Sequence, residues 1–449
     1  MKQEIKRREF LGLGLRGGSL IAAGGLLPAV SVAASERGKS LSNRPWWARE
    51  VDEPVLKIDD QNYHRFDQHQ NVLNAYRKYV SEEQRLKVRE RKEAFRKEIE
   101  TGDVPGYRRE DRALMAAGWT LRGTGSLNKG LRLWVRPSRR GRSRPIPEKW
   151  KTTPQHAAKA IKRAARFYGA ADAGIALIDR RHLYSRSYGV DIVFEDVDQP
   201  YDVKGEKAVI PNKVKYAIAI VARMSPELAA RAPSQLCDAT TSLNYSRLEF
   251  TVGLLAEFIR NLGYIAIPSV NCLGPSIPFA VDAGLGEVGR TNRFISPVFG
   301  PAVQLGKVLT DMPMAPDKPI HFGLKEFCMV CGRCAETCPS KALSFDKEPD
   351  FKIKGEWNNP GHQTWFEDSV KCFEFWEESN SYCSTCIMVC PWAKQDKTEI
   401  HEIVKASSAN FPFMDGFFTS MDKAFGYGQQ KDPDKWWDLD LNEHGIDRM

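Results

Sequence analysis

The run Cys328-Met-Val-Cys331-Gly-Arg-Cys334-Ala-Glu-Thr-Cys338-Pro339 decides how the chain is read, together with its partner, Cys372 and then Cys383-Ser-Thr-Cys386-Ile-Met-Val-Cys390-Pro391. Eight of the ten cysteines of the 449-residue chain lie in these two runs. The first has the spacing C-x2-C-x2-C-x3-C-P without a gap, and the second has it with a longer loop after Cys372. Two-residue gaps bring three thiolates of one loop onto three corners of an iron–sulfur cubane. The cysteine before proline lies a turn further on and serves the other cluster. The spacing therefore assigns Cys328, Cys331, Cys334 and Cys390 to one [4Fe–4S] cluster, and Cys338, Cys372, Cys383 and Cys386 to a second. Structural zinc favours paired C-x2-C ligands instead. Cys372 is the irregular member. Cys237 and Cys272 lie outside the runs and read as plain buried thiols.

Working outward, the N-terminus reads as an address. Arg7-Arg8-Glu9-Phe10-Leu11 is a twin-arginine element; a weakly apolar, glycine-rich stretch follows, and Ser31-Val32-Ala33-Ala34 supplies small residues for cleavage. Residues 1–34 are thus expected to be a twin-arginine signal, which exports proteins already folded and suits clusters loaded in the cytosol. The expected location is the periplasmic face of the cell membrane. No later stretch reaches the roughly 18 apolar residues of a membrane span, so a membrane association would be peripheral. The composition, 42% hydrophobic and 27% charged, is that of a globular protein. The net charge of +9 gathers in part at the N-terminus and at Arg136–Pro145. That basic loop lacks interleaved aromatics and reads as solvated, not as a nucleic-acid site.

Residues 35–150 form a helical and irregular region, with an exposed helix pair from about Asn71 to Glu100. Asp67-x-His69-x-x-Val72 lacks the last glycine of the D-x-H-x-x-G pattern of histidine-ligated cobalamin. From 151 to 320 strands and helices alternate. A helix is expected over Pro154–Phe167, strands at Gly174–Ile178, Val190–Phe194, Val214–Ala222 and Tyr264–Pro268, and a helix over Ser246–Leu262. Alternation indicates a layered core of α/β or α+β class. Gly284-x-Gly286-x-x-Gly289 fits G-x-G-x-x-G, but Pro297 and Pro301 follow too soon for the helix of a dinucleotide site. The glycines read as a loop that lets backbone approach a flat or anionic cofactor. Residues 321–400 are the cluster module. Residues 401–449 are an aromatic-rich tail without helical or strand periodicity, expected to pack on the core.

Taken together, the twin-arginine start, the blocks Leu243-Asn244-Tyr245 to Asn271 and Ala283–Glu287 to Pro297, the double cluster run, Phe425-Gly426-Tyr427-Gly428 and Trp436-Trp437 resemble the corrinoid-dependent reductive dehalogenases of organohalide respiration. The resemblance covers nearly the whole chain. It implies a nitroreductase-like corrinoid-binding core beside a ferredoxin-like module with two [4Fe–4S] clusters. It implies a base-off corrinoid without a histidine ligand, an organohalide substrate, a small membrane-anchor subunit, and electrons from a membrane respiratory chain. The family's catalytic tyrosine falls on Tyr245, its pocket asparagine on Asn271, and the tyrosine's basic partner on Arg290 or Arg293, with Arg293 preferred. Carbon–halogen reduction takes two electrons and a proton. The clusters supply single electrons, a reduced cobalt does the hard step, and a tyrosine, with an ordinary pKa near 10, still holds its proton at neutral pH. Two other readings share the cluster runs. An epoxyqueuosine reductase acts on tRNA, which export opposes. An exported ferredoxin-type carrier would not need the long stretch between residues 35 and 327.

Overall fold

Strand Tyr216–Arg223 shows how the core is built. Alternate residues face opposite ways: Ala217, Ala219 and Val221 pack into one apolar layer, and Ile218, Ile220 and Ala222 into the other. A strand buried on both faces reads as a continuous apolar run, as this one does. The computed structural model describes residues 44–121, 147–394 and 399–439. The twin-arginine stretch and the basic loop Arg136–Pro145 lie outside them. From Trp47 onward the described residues pack as one unit.

The central sheet has four strands: β1 (Asp172–Leu177), β4 (Tyr216–Arg223), β8 (Val303–Thr310) and β5 (Ala266–Ser269), in that spatial order. Every neighbouring pair is antiparallel, with Asp172 opposite Val221, Val303 opposite Arg223 and Lys307 opposite Ser269. The α+β half of the expected class therefore describes the core. A second sheet holds β2 (Val190–Glu195) parallel to β3 (Lys207–Pro211), between two short edge strands. Between β5 and β8, β6 (Glu287–Val288) and β7 (Phe294–Ile295) form an antiparallel hairpin. The glycine motif thus opens a hairpin and not a dinucleotide-binding helix.

Seven helices matter here. α1 (Val72–Tyr79) and α2 (Glu82–Thr101) are the expected exposed pair, and α3 (Arg109–Gly118) follows. α4 (Pro154–Phe167) has the expected bounds, with Thr153 capping it and Pro154 at its first turn. α5 runs from Gln235 to Asn261, about three turns longer than expected at its N-terminus. Ser234 caps it by accepting from Cys237 N–H (3.2 Å), worth roughly 1 kcal/mol. Leu248, Val252, Leu255 and Ile259 of α5 are fully buried on the sheet, each contributing roughly 1.5–3 kcal/mol. Tyr245 therefore sits inside the helix and not at its start. The tail corrects its expectation as well: α6 (Glu399–Asn410) and α7 (Asp415–Ala424) are regular helices. Among the described residues no helix is long and apolar enough to cross a membrane.

Candidate active site and cluster sites

Tyr245 is placed by a close helix contact. Gly118 ends α3 directly against α5, where a Cβ would lie 2.1 Å from Ser242 Oγ and 3.0 Å from Leu243 N. Only glycine lets the two backbones come this near. The contact turns Trp119 flat onto Tyr245, with centroids 5.4 Å apart and planes 24° from parallel. Ser246 holds the same junction, accepting from Leu121 N–H (3.1 Å) and donating to Gly118 O. At the other end of the ring, Asn271 Nδ2 donates to the Tyr245 hydroxyl (3.1 Å). Because Asn271 is the donor, the tyrosine's own proton is not spent on this bond. Asn271 follows β5, in a loop tied down by Lys307. That lysine is fully buried, and its Nζ donates to Gly274 O (2.7 Å), Ser276 Oγ (3.1 Å) and Val270 O (3.3 Å). Burial pulls its pKa down to about 8.

The cluster cysteines gather in two groups that follow the spacing except at Cys334. Cys328, Cys331 and Cys390 pack together around Phe327 and Trp392. Cys338, Cys372 and Cys386 gather about Ala335, Ala342 and Leu343, with Cys383 acting electrostatically on Cys372 and Cys386. Cys334 packs against the second group, yet its thiol feels Cys328 before any other cysteine. It stands between the two groups, feeling Cys386 of the second before Cys331 of the first. Gly332, left-handed at φ +61, breaks the chain between Leu324–Cys331 and the short helix Arg333–Thr337. This turns Cys331 and Cys334 toward one another. Burial pushes the Cys328, Cys334, Cys372 and Cys390 thiols well up, and Cys386 to about 12. Thiols this buried are inert alone and take their thiolate form with bound metal. Among the described residues no three histidine, cysteine or carboxylate side chains close on a single point as one ion requires.

α5 joins the two regions. Asp238 Oδ1 accepts from Tyr382 N–H (2.6 Å), and Cys237 Sγ lies 2.9 Å from Ser384 Oγ, on either side of Cys383. Cys237 and Cys272 are buried, as expected of plain thiols. A cavity of about 430 Å³ opens beside this junction, walled by Trp119, Trp376, Tyr382 and Asp238 among others. Spacing and periodicity had not singled out Trp119, Asp238 or Lys307. Only a contact map shows them.

The model for the reductive dehalogenase subunit matches residues 186–314, and that for the 4Fe-4S double cluster binding domain matches 327–393. The tetrachloroethene reductive dehalogenase of Sulfurospirillum multivorans is 37% identical, over 76% of this chain and 73% of its own. The chain belongs to the reductive dehalogenase family. The trichloroethene reductive dehalogenase of Dehalococcoides mccartyi is 30% identical, over 64% of this chain and 58% of its own. The catabolic reductive dehalogenase NpRdhA shares the fold, with a TM-score of 0.62 over 91% of this chain and 53% of that one, at 24% identity. The present dehalogenase-family chain thus spans little more than half the length of the latter two proteins. An epoxyqueuosine reductase of Bacillus cereus matches over only 31% of it.

Within this family chain two site expectations change. Arg290 does not reach toward Tyr245. All its guanidinium nitrogens donate to main-chain carbonyls of the cluster module, and it is 3% exposed. The glycines of the G-x-G-x-x-G motif meet their own chain: a Cβ on Gly284 would strike Lys318 O and one on Gly286 would strike Ile295 O and the Phe294 ring. Gly289 faces Cys328 Sγ, where a Cβ would lie 3.5 Å away. The loop lies against Cys328, one of the expected cluster ligands. Arg293 forms an ion pair with Glu367 (2.7 Å), which raises its pKa. His69 only completes a turn, its N–H bonded to Asp67.

Proposed function

We propose that this chain reduces an organohalide to release halide, with Tyr245 as proton donor and Asn271 as its support. The observation that carries the reading is the Asn271 to Tyr245 bond, made from the same helix whose first turn is pinned to the loop of cluster two. When the proton leaves, Asn271 already donates to the oxygen that gains charge, which favours the phenolate. Trp119 shields one ring face from water. Arg293, whose Nη1 donates to Glu367 and to Thr291 O, is kept as the tyrosine's basic partner on the family resemblance alone.

The residues fit a corrinoid in their chemistry. Among the described residues, buried polar atoms lacking a partner include Trp357 Nε1, Asn359 Oδ1, His362 Nδ1, Thr291 Oγ1 and Trp376 Nε1. A corrin edge carries amides that both donate and accept; of these residues Trp376 lines the cavity beside Tyr382 and Trp119, where its Nε1 could meet such an amide. A corrinoid, expected base-off from the family resemblance, would supply the low-potential reducing centre that carbon–halogen reduction needs. Export by the twin-arginine route, a small membrane-anchor subunit and electrons from a membrane respiratory chain belong to the same reading.

The test is one purified sample carrying cobalt and both clusters, supplied with a strong one-electron donor and chlorinated alkenes or haloaromatics. Halide release in step with cobalt content is expected. Full cluster content without cobalt after expression in a corrinoid-supplied host overturns the proposal.

A further inference from the structure

The hairpin loop Gly289–Arg293 carries two arginines, and each serves a different cluster. Arg290 N–H points at Cys328 Sγ (3.5 Å). Its guanidinium donates to Cys328 O through Nε (3.1 Å) and Nη2 (2.7 Å), to Ser344 O (3.0 Å) and Asp346 O (2.5 Å) through Nη1, and to Lys347 O (3.4 Å). Trp365 covers its face at 4.8 Å. Carbonyls fix the cation in place but do not cancel its charge. The Asp346 carboxylate does feel Arg290, but it is 63% exposed, bonded by Ser344 and near Lys354, so solvent screens most of its effect on the buried guanidinium. The other buried cation beside cluster one, Arg333, is paired with Asp422. Arg293 differs from Arg290. It acts on the cluster-two ligands Cys386 and Cys372, but Glu367, bonded to it at 2.7 Å, acts on the same cysteines with opposite sign.

We propose that this loop sets the two reduction potentials separately: the uncancelled Arg290 holds cluster one's potential up, while Glu367 holds cluster two's down against Arg293. This rests on the two-cluster reading above. A cluster gains one negative charge on reduction, so a nearby lone cation favours the reduced form and an ion pair does so weakly. Net charge and hydrogen bonds to the sulfurs are the protein's levers on these potentials.

The test is a redox titration of the full-length, cluster-loaded protein followed by electron paramagnetic resonance, which needs neither corrinoid nor turnover. Arg290→Gln is expected to move one midpoint to more negative potential and leave the other. Arg290→Lys, which keeps the charge, should bring that midpoint back toward the parent value. Glu367→Gln should move the other midpoint to more positive potential. The idea is overturned if Glu367→Gln leaves both midpoints in place, or if it moves the one that the Arg290 variants move. It is equally overturned if Arg290→Lys shifts its midpoint as far as Arg290→Gln. Should Arg290→Gln fail to assemble, Arg290→Lys and Glu367→Gln decide. A parent protein with fewer than two cluster signals would strike the two-cluster reading instead.

Discussion

Replacing Tyr245 by phenylalanine separates proton donation from everything else the residue does. The change removes one hydroxyl, which accepts from Asn271 Nδ2 at 3.1 Å in a solvent-reachable position. Asn271 can turn to water, so the cost in stability is about 1 kcal/mol or less. The ring remains, and with it the stack on Trp119, worth roughly 0.5–1.5 kcal/mol. A positioned general acid contributes about 10²- to 10⁴-fold, or roughly 2.7–5.5 kcal/mol of barrier. Turnover is therefore expected to fall by that factor while the melting midpoint hardly moves. The assay is the initial rate of halide release, with cobalt and iron matched between parent and variant. A phenylalanine variant that releases halide within about threefold of the parent rate would refute the proton-donor role.

Other perturbations probe the supports. Gly118→Ala forces a methyl group onto Ser242 and the Leu243 backbone; thermal melting should show a loss of about 1–3 kcal/mol, and turnover should fall as Trp119 leaves Tyr245. Cys372→Ser should lower iron from about eight to about four atoms per chain, and unchanged iron would remove Cys372 from the ligand set. Burial raises the Asp238 carboxyl from its ordinary 3.8 to about 8. The folded chain then keeps a proton that the unfolded chain releases from about pH 4 upward, so stability falls as pH rises through the window up to about 8. Asp238→Asn cannot titrate, and its melting midpoint should decline less than the parent's between about pH 5 and pH 8.

Spacing alone carried the cluster sites, because ligation depends on residues a few positions apart. It carried helix α4 for a similar reason: cap, proline and apolar stripe lie within one short segment. The first turns of α5 were illegible because Gln235, Asp238, Thr240, Ser242 and Asn244 are buried there with the apolar residues, so no amphipathic stripe forms. Strand β8 was missed because Gln304 and Lys307 read as surface residues, although Lys307 is completely enclosed. In the tail, α7 buries Asp415, Thr419 and Asp422 while Phe417 stays exposed, the reverse of the usual apolar-inward pattern.

The proposed pairing of Tyr245 with Asn271 was legible only through resemblance, since the two meet across 26 residues of sequence. Arg290 and Arg293 were indistinguishable for a different reason. Three residues apart on one loop, they carry the same charge, and only their partners tell them apart: carbonyls around Cys328 for one, Glu367 for the other. Helix α5 then gives the arrangement its logic. Asp238 and Tyr245 lie seven residues apart, two turns along one face and about 10.5 Å in rise. The first is bonded beside Cys383 and the second to Asn271. A helix buried on a four-stranded sheet bends little over two turns, so the cluster-two loop and the proposed proton donor are held in fixed register. A break in that register, such as a Pro at Thr241, should uncouple them: clusters would still load, yet halide release would fall even with Tyr245 intact.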